Sequence, residues 1–255
     1  PLAGVVMIVA GEVSGDMYGA RLATALTELE PEMRLFGIGG DNMQQAGVEL
    51  QAHISDLSVM GFWEVVKDAG RLRRILKRTV QALRRTRPDG LILIDFYRFN
   101  IVLAREAGKL GIPVVYYVAP KLWVWGKGRV RQLRKHVDLV LAIFPFEEDF
   151  YRSLQMPVSY VGNPLTEILA ELPVSEEANT IGRKEGEVVV SLLPGSRTAE
   201  VRHLLSPFLG AAELISHELE ERVRFYLPLP QTISRTSVDA ELDQAKVDVT
   251  VTSGR

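Results

Sequence analysis

Residues 5–16 read VVMIVAGEVSGD, an apolar run that ends in glycine and leads into a helical pattern. That pattern carries Leu22, Ala25, Leu26 and Leu29, which are spaced three or four residues apart, as on one face of a helix. An apolar strand followed directly by a helix is the unit from which α/β folds are built. The stretch therefore predicts the first strand and the first helix of an α/β domain.

Further apolar runs repeat this unit along the chain. They are Leu35–Ile38 before Gly39-Gly40, Leu91–Ile94 before Asp95, Val114–Val118 before Ala119-Pro120, and Leu139–Ile143 before Pro145. Runs that are apolar throughout are typical of strands buried on both faces of a parallel sheet, with helices covering the sheet. The sequence thus predicts a doubly wound, Rossmann-like α/β domain.

A second unit of the same kind is predicted after a linker. The polar stretch Pro173–Glu187 dilutes the apolar pattern, and after it Val188–Leu193, a helix to about Leu219, Val223–Leu227 and Val247–Val251 resume it. The chain reaches residue 255 soon after this last predicted strand, so the second domain looks truncated. We expect an N-terminal Rossmann-like domain over residues 1–165 and a partial C-terminal one over residues 166–255.

The composition is that of a globular protein. Of the 255 residues, 47% are hydrophobic and 24% are charged, and the formal net charge is −2. So small a net charge gives no overall attraction to nucleic acid or membrane, and an anionic partner must meet local basic patches. No apolar run approaches the roughly 20 residues that span a bilayer. Pro1–Ala10 lacks the basic region of a signal peptide.

Metal and thiol chemistry are not indicated. The chain has no cysteine, which excludes disulfides, thiolate metal sites and cysteine nucleophiles, and which fits a reducing compartment. Its four histidines show no metal-ligand spacing. We therefore expect no metal and no cofactor.

The turn after the first predicted strand offers polar groups where open α/β sheets bind ligands. Gly11 and Gly15 allow the backbone to approach a ligand, and Glu12, Ser14 and Asp16 supply groups that suit sugar hydroxyls. The spacing is not G-x-G-x-x-G, so a dinucleotide site is not supported. The alternative is a helix that Ser14 caps, with Asp16 near its positive end.

Asp95 follows the predicted strand Leu91–Ile94 directly. A carboxylate at the carboxyl end of a central strand is placed to accept a proton from a bound hydroxyl group. The alternative is that Asp95 caps the next helix or pairs with Arg98. Its position favours catalysis.

The stretch LLPGSR at 192–197 joins a predicted strand to a predicted helix. Such a turn presents free backbone N–H groups, a hydroxyl and a guanidinium to one point, and that point suits a phosphate. The alternative is an ordinary Pro-Gly turn with a serine cap.

Residues 71–87 contain eight basic residues and no acidic one. The apolar residues that interleave with this charge or precede it are Trp63, Val66, Leu72, Ile75, Leu76 and Val80. A helix lying in a membrane interface has this pattern. A solvated basic face over a buried stripe and a nucleic-acid patch are the alternatives. Trp123 and Trp125, ahead of further basic residues, suit either a pocket for an anionic amphiphile or ordinary packing.

Taken together, these stretches resemble the lipid A disaccharide synthase family. The matching stretches are AGEVSGD (10–16), Ser58–Gly61 with its basic helix, Ile94-Asp95 with Phe99-Asn100, YYVAPKLWVWGKGRV (116–130), LVLAIFPFEEDFY (139–151), and SLLPGSR with Glu200 (191–200). The chain departs from the family pattern at Phe96-Tyr97-Arg98, where the family usually has a proline and a small or acidic residue. The family also continues well beyond Arg255.

The resemblance implies two Rossmann-like domains of the GT-B type, with the active site in the cleft between them. It implies an inverting glycosyltransferase that moves 2,3-diacylglucosamine from UDP to O6 of 2,3-diacylglucosamine 1-phosphate, forming a β(1→6) link. Asp95 is the implied general base, and Arg197, with Ser196 and the Gly195 backbone, is implied to stabilise the departing diphosphate. A 2-epimerase of UDP-sugars and a non-catalytic, peripheral membrane-binding fragment remain as alternatives.

The resemblance also implies where substrates and membrane are met. The N-terminal domain is the implied acceptor and membrane-facing domain, and the C-terminal one binds the nucleotide sugar. The implied partners are the two acylated sugars and an anionic inner-membrane surface, met from the cytoplasmic face, and not nucleic acid. The substrate-binding residues are Gly11, Glu12, Ser14, Gly15, Asp16, Met60, Asn100, Trp123, Trp125, Gly195, Ser196 and Glu200. The membrane-facing residues are Phe62, Trp63, Val66, Arg71, Arg73, Arg74 and Lys77.

Overall fold

The computed structural model describes residues 4–57, 64–120, 122, 127–171, 186–195, 198–219, 222–229 and 233–253, without the side chains of 64–69, 127 and 253. The chain divides into two compact units, residues 1–171 and 172–255. The boundary expected between residues 165 and 166 falls inside a helix, Pro164–Glu171, that belongs to the first unit.

The first unit is built on a seven-stranded sheet in which every pair of neighbouring strands is parallel. The strands are β1 (Val5–Ala10), β2 (Arg34–Gly39), β3 (Glu49–His53), β4 (Gly90–Ile94), β5 (Val114–Tyr117), β6 (Leu139–Ala142) and β7 (Val158–Tyr160). Their order is β3-β2-β1-β4-β5-β6-β7, so the chain moves outward in one direction from β1 and in the other from β4. This order confirms the predicted doubly wound sheet and puts its topological switch point between β1 and β4.

Helices connect these strands. They are α1 (Val13–Leu29), α2 (Asp41–Gln45), α3 (Glu64–Thr86), α4 (Tyr97–Lys109), α5 (Lys127–His136), α6 (Pro145–Ser153) and α7 (Pro164–Glu171), and a 3₁₀ turn at Ile54–Asp56 follows β3. The main core joins sheet residues such as Met7 and Leu93 to helix residues such as Leu83 and Leu103, all fully buried. The sheet is thus covered by helices, as its apolar strands require.

Helix α3 packs its apolar stripe on this core. Leu72, Ile75, Leu76 and Val80 are partly buried against it. The crossover from β3 to β4 lays this face of α3 on the sheet. The arrangement matches the alternative of a basic face over a buried stripe.

Strands β1 and β2 approach closely at Gly37. Its φ is +151°, and a Cβ there would collide with the carbonyl oxygen of Ile8 on β1. The register of β2 against β3 shifts between Gly37 and Ile38. A glycine is required at this position because both the backbone angle and the space exclude a side chain.

The second unit has its own parallel sheet and core. Its elements are β8 (Glu187–Ser191), α8 (Thr198–Glu218), β9 (Arg222–Leu229), a 3₁₀ turn at Arg235–Ser237, α9 (Asp239–Gln244) and β10 (Val249–Ser253), with strand order β10-β9-β8. Leu205, Phe225, Leu227 and Val238 lie in its core. The buried carboxylate of Glu187 accepts from Arg224 Nε at 3.1 Å. The predicted second α/β unit is confirmed over these elements.

Candidate active site

The carboxyl ends of β1 and β4 lie side by side at the switch point of the first sheet. Ala10 and Ile94, the last residues of the two strands, are paired in the sheet. The turn that begins at Gly11 and the turn that begins at Asp95 therefore emerge at the same edge. Open α/β sheets bind their ligands in the crevice at this edge.

The turn after β4 has an unusual backbone. Asp95 and Phe96 have φ angles of +45° and +46°, both in the left-handed region. Val118, which follows the neighbouring strand β5, has a φ of +56°. Non-glycine residues in this region cost roughly 1–3 kcal/mol each, and they persist where surrounding contacts impose them. Two of these three residues are the predicted catalytic residue and the one that follows it.

Two buried side chains stabilise this turn through the backbone of Asp95. The Asn100 side-chain amide donates to the carbonyl oxygens of Asp95 at 2.8 Å and Ile94 at 3.2 Å. The Tyr116 hydroxyl also donates to the Asp95 carbonyl. Burial, and secondarily the charge of Asp95, raise the pKa of Tyr116 well above its usual value, so its hydroxyl stays protonated and remains a donor.

These contacts correct two expectations. Asn100, expected to bind substrate, is fully buried and bonded to the Asp95 turn, so it supports the turn from inside. The N-cap of α4 is Phe96, and Asp95 precedes it, so Asp95 is not the helix cap considered as its alternative role. Sequence reasoning missed Tyr116, because its contact with Asp95 joins two strands and leaves no local pattern in the sequence.

Phe96 covers the turn after β1. A Cβ at Gly11 would overlap the Phe96 ring, and Gly11 itself is buried. The Phe96 ring also lies 5.3 Å, centroid to centroid, from that of Phe99. Gly11 therefore accommodates an aromatic side chain of this chain, and the approach of its backbone to a ligand stays a prediction.

Asp16 has a structural role in place of the expected sugar contact. Its side chain is 2% exposed, and its carboxylate accepts from the backbone N–H groups of Gly40 at 2.6 Å, Asn42 at 3.1 Å and Met43 at 3.0 Å. The Asn42 side-chain amide donates to it as well, at 2.8 Å. Asp16 thus caps α2 from α1 and ties the two helices together.

The other residues of this turn differ in exposure. Gly15 is buried, and a Cβ there would lie 3.2 Å from the Cβ of Ala10, so it serves helix–strand packing. Glu12 and Ser14 are exposed. Ser14 lies within α1, whose N-cap is Glu12, so the alternative in which Ser14 caps the helix is not realised. Glu12 and Ser14 thus remain the candidate sugar contacts in this turn.

Replacing Asp16 by asparagine is expected to lower the free energy of unfolding by roughly 3 kcal/mol, because an amide N–H₂ would then face buried backbone donors. Asp41→Asn is the matched control, since Asp41 lies in the first turn of α2 but its side chain is 81% exposed. Its expected loss is about 0.5 kcal/mol. Urea unfolding of both variants measures the difference, and equal small losses would contradict the capping role.

An aromatic and basic cluster lies beside the Asp95 turn. The Arg129 guanidinium of α5 lies 5.5 Å from the centroid of the Tyr97 ring, and the Tyr97 hydroxyl donates to the Arg129 carbonyl at 3.4 Å. The buried Tyr151 hydroxyl donates to the carbonyl of Pro120 at 2.7 Å. These contacts join α4 to α5, and α6 to the loop after β5.

Several expected site residues lie outside the described residues: Met60, Phe62, Trp63, Trp123, Trp125, Ser196 and Arg197. The side chain of Val66 is likewise not described. Arg71, Arg73, Arg74 and Lys77 are exposed on α3. Arg71 donates to the Ser55 carbonyl at 3.1 Å and pairs with Asp56 at 3.3 Å.

In the second unit, Gly195 and Glu200 come together. Gly195 has a φ of +130°, and a Cβ there would lie 2.6 Å from the Cβ of Glu200, in the first turn of α8. The close approach and the positive φ both require glycine. β8 ends at Ser191 and α8 begins at Thr198, and a helix N-terminus that closely follows a strand is a known place for phosphate binding.

Two classes of feature are not found in the described part of the chain. It contains no group of three or more His, Cys, Asp or Glu residues arranged to hold a metal ion. None of its helices combines the length and the apolar character needed to cross a membrane.

A family profile described as lipid-A-disaccharide synthetase matches residues 6–254. The chain is 40% identical over 241 residues to the lipid-A-disaccharide synthase of Syntrophus aciditrophicus, covering 94% of this chain and 63% of that protein. It is 39% identical over 251 residues to that of Trichlorobacter lovleyi, covering 98% of this chain and 65% of the relative. The chain thus spans just under two thirds of these relatives' lengths.

Solved structures share the fold at low sequence identity. The UDP-GlcNAc 2-epimerase of Neisseria meningitidis, bound to UDP-GlcNAc, superposes with a TM-score of 0.64 at 11% identity. The match covers 98% of this chain and 72% of the epimerase. At this identity the likeness shows the architecture and not the reaction.

Proposed function

The chain belongs to the lipid-A-disaccharide synthetase family, and on this premise we propose that its protein is an inverting glycosyltransferase. The proposed donor is UDP-2,3-diacylglucosamine and the proposed acceptor is 2,3-diacylglucosamine 1-phosphate. The products are the β(1→6)-linked disaccharide 1-phosphate and UDP. The observation that carries the proposal is the strained, doubly supported turn that bears Asp95 at the switch point of the sheet.

Asp95 is proposed as the general base. Its carboxylate takes the proton of the acceptor 6-hydroxyl as O6 attacks C1 of the donor sugar from the face opposite the diphosphate. The C1–O bond to UDP breaks, and its electron pair leaves with the diphosphate, so the configuration at C1 inverts. One carboxylate suffices, because the diphosphate departs without protonation when its charge is stabilised. The proton ends on Asp95 and passes to water.

The turn that contains Gly195 is proposed to stabilise the departing diphosphate. Arg197 and Ser196, together with the backbone of Gly195, supply the guanidinium, hydroxyl and N–H donors for that charge. The conformation that Gly195 adopts against Glu200, just ahead of α8, supports this role. Glu200 and the exposed Glu12 and Ser14 are proposed as substrate contacts, as are Met60, Trp123 and Trp125.

We also propose that the protein meets the cytoplasmic face of the bacterial inner membrane peripherally, because both substrates carry acyl chains. Arg71, Arg73, Arg74 and Lys77 supply exposed positive charge on α3. Since the described apolar stripe of α3 packs on the core, the contribution of this part of the helix is electrostatic. Phe62, Trp63 and Val66 are proposed to add apolar contact.

Changing Arg71, Arg73, Arg74 and Lys77 together to glutamine is expected to release the protein from phosphatidylglycerol vesicles, because each basic residue near an anionic surface contributes about 1 kcal/mol. Salt at about 1 M should act similarly, since the Debye length falls to roughly 3 Å. Co-sedimentation measures binding, and phosphatidylcholine vesicles serve as the neutral control. Equal binding by parent and variant, or displacement by RNA in place of lipid, would refute the membrane role.

The reaction is tested by incubating the protein with both acylated sugars. The proposal expects disaccharide 1-phosphate and UDP in equal amounts, and no UDP release when the acceptor is omitted. A 2-epimerase would change the configuration at C2 of the UDP-sugar without an acceptor, and a membrane-binding fragment would do neither. Either of these results would overturn the proposed transfer.

A further inference from the structure

A cavity of about 750 Å³ lies in the first unit beside the edge strand β3. Gln51 and Ala52 of β3 and Asp56 of the following turn form one side. The other side belongs to α3 and carries Arg71, Arg74, Arg78 and Arg85. The volume falls within the range of roughly 300–1,000 Å³ that is typical of small-molecule sites. No residue of the Asp95 turn lines it.

Helical spacing explains why four arginines line one cavity. Arg71, Arg74, Arg78 and Arg85 follow each other at intervals of three, four and seven residues, and so lie along one stripe of α3. The apolar stripe beside it packs on the core. Arg73, Lys77 and Arg84 form a separate stripe on the other flank, where Arg84 pairs with Glu106 of α4. The basic surface of α3 is therefore two stripes, and one of them lines the cavity.

The four arginines that line the cavity carry more positive charge than the described acidic side chains around them neutralise. Arg71 pairs with Asp56 at 3.3 Å. Arg74, Arg78 and Arg85 form no ion pair with any described acidic side chain. Like charges four residues apart, as in Arg74 and Arg78, destabilise a helix. A concave wall of one sign also concentrates counter-ions. The geometry thus favours an anion in the cavity.

We propose that this cavity binds a phosphate-bearing ligand with at least two negative charges. Planar guanidinium groups bind phosphate oxygens in pairs, which suits Arg74 and Arg78 to a common phosphate. Arg85 lies two turns beyond Arg78, about 10 Å along the axis, and meets a second anionic group. Gln51 and Gln81 offer amides to the uncharged part of the ligand. The phosphate belongs either to a soluble phosphate ester or to a lipid headgroup.

The proposal is tested by arginine footprinting with inorganic pyrophosphate as the probe. Phenylglyoxal modifies exposed arginines, and peptide mass spectrometry reports the rate at each one. Modification of Arg74 and Arg78 is expected to slow about tenfold with pyrophosphate at ten times its Kd, as occupancy requires. Arg73, on the same helix but on the other stripe, is the internal control and should react at its unprotected rate. Labelling needs no turnover, so the result is independent of the proposed transferase.

Two double variants distinguish a specific anion site from the general attraction of an anion to a basic helix. Arg74→Gln with Arg78→Gln should abolish the protection of Arg85 by pyrophosphate. Arg73→Gln with Lys77→Gln removes the same charge from the same helix and should leave that protection unchanged. Thermal unfolding of both variants checks that each is folded. With pyrophosphate as the probe, equal effects of the two variants, or protection of Arg73 equal to that of Arg74, would overturn the site.

The source of the phosphate is decided by a second pair of probes. Phosphatidylglycerol vesicles that protect Arg78 and Arg85, which lie outside the proposed membrane contact, where phosphatidylcholine vesicles do not, support the site with a lipid headgroup as its ligand. Protection by pyrophosphate without protection by either vesicle supports it with a soluble phosphate ester. Absence of protection by pyrophosphate and by phosphatidylglycerol overturns the proposal.

Discussion

Asp95→Asn is expected to lower the rate of sugar transfer by roughly 10²–10⁴-fold, the range in which a positioned base contributes. Asparagine preserves the size of the side chain and tolerates the left-handed backbone of residue 95, so the turn is expected to remain. The amide has no basic oxygen that can hold the acceptor proton. Single-turnover measurement of disaccharide formation with both substrates saturating reports the loss.

Asp89→Asn is the matched control for this variant. Asp89 accepts from the backbone N–H of Val5 at the opposite end of the sheet, so its loss tests the general effect of removing a carboxylate from the first unit. Both variants should bind the acceptor with near-normal affinity, and Asp89→Asn should retain its transfer rate. An Asp95→Asn protein that transfers sugar at the parental rate would remove Asp95 from the catalytic role.

Tyr116→Phe tests how the base is positioned. Phenylalanine fills the same buried space but removes the hydroxyl that donates to the Asp95 carbonyl. One such hydrogen bond contributes about 1 kcal/mol, so kcat should fall roughly five- to tenfold with little change in KM. If Tyr116 had a merely structural role, the variant would lose stability, and the pH at which activity reaches half its maximum would stay the same. If the hydroxyl positions the Asp95 carboxylate, that pH changes in the variant.

The central strands were predictable because each is apolar on both faces, and most of their residues are buried or half-buried. β1, β2, β4, β5 and β6 all coincide with apolar runs in the sequence. β3 and β7 do not, because they form the two edges of the sheet and are only partly covered. The residues ELQAH of β3 and VSY of β7 therefore mix polar with apolar side chains. An edge strand obtains its register from its neighbour, and that information is not local in sequence.

Backbone conformation limited the prediction of the site. The place of Asp95 at a strand end followed from the apolar run before it, because the apolar pattern stops where the strand ends. The run Val114–Val118 extends one residue beyond β5, because Val118 is left-handed and ends the strand. Consecutive left-handed residues at 95 and 96 were not predictable, as neither is glycine. They persist through contacts from Tyr116 and Asn100.

Local composition did not reveal which parts of the fold contact Asp16 and the apolar stripe of α3. Asp16 has the sequence position of a ligand contact. However, the short helix α2 begins beside it, and backbone N–H groups at the start of α2 donate to the Asp16 carboxylate. On α3, apolar and basic residues alternate as in an interfacial helix, yet a crossover helix on a parallel sheet has the same pattern. Only the tertiary partner of the apolar face distinguishes the two.

Arg197→Ala is expected to lower kcat/KM for the UDP-sugar donor by roughly 10²–10³-fold, the loss typical of removing one donor to a developing anion. Arg197 lies outside the described residues, but it directly precedes α8, which begins at Thr198, and it follows a turn whose glycine packs against Glu200. In the proposed mechanism, the Arg197 guanidinium stabilises the negative charge that grows as the C1–O bond breaks. The affinity for the acceptor should remain unchanged.

Arg202→Ala is the matched control, because Arg202 is an exposed arginine on the same helix, one turn further along. Its donor kinetics should equal those of the parent. Arg197→Lys separates charge from shape: lysine keeps the charge but loses the planar fork, so an intermediate rate indicates bidentate contact with the diphosphate. If Arg197→Ala changed only the acceptor affinity, or if Arg202→Ala lost as much activity, the stabilisation of the leaving group would have to be assigned to residues other than Arg197.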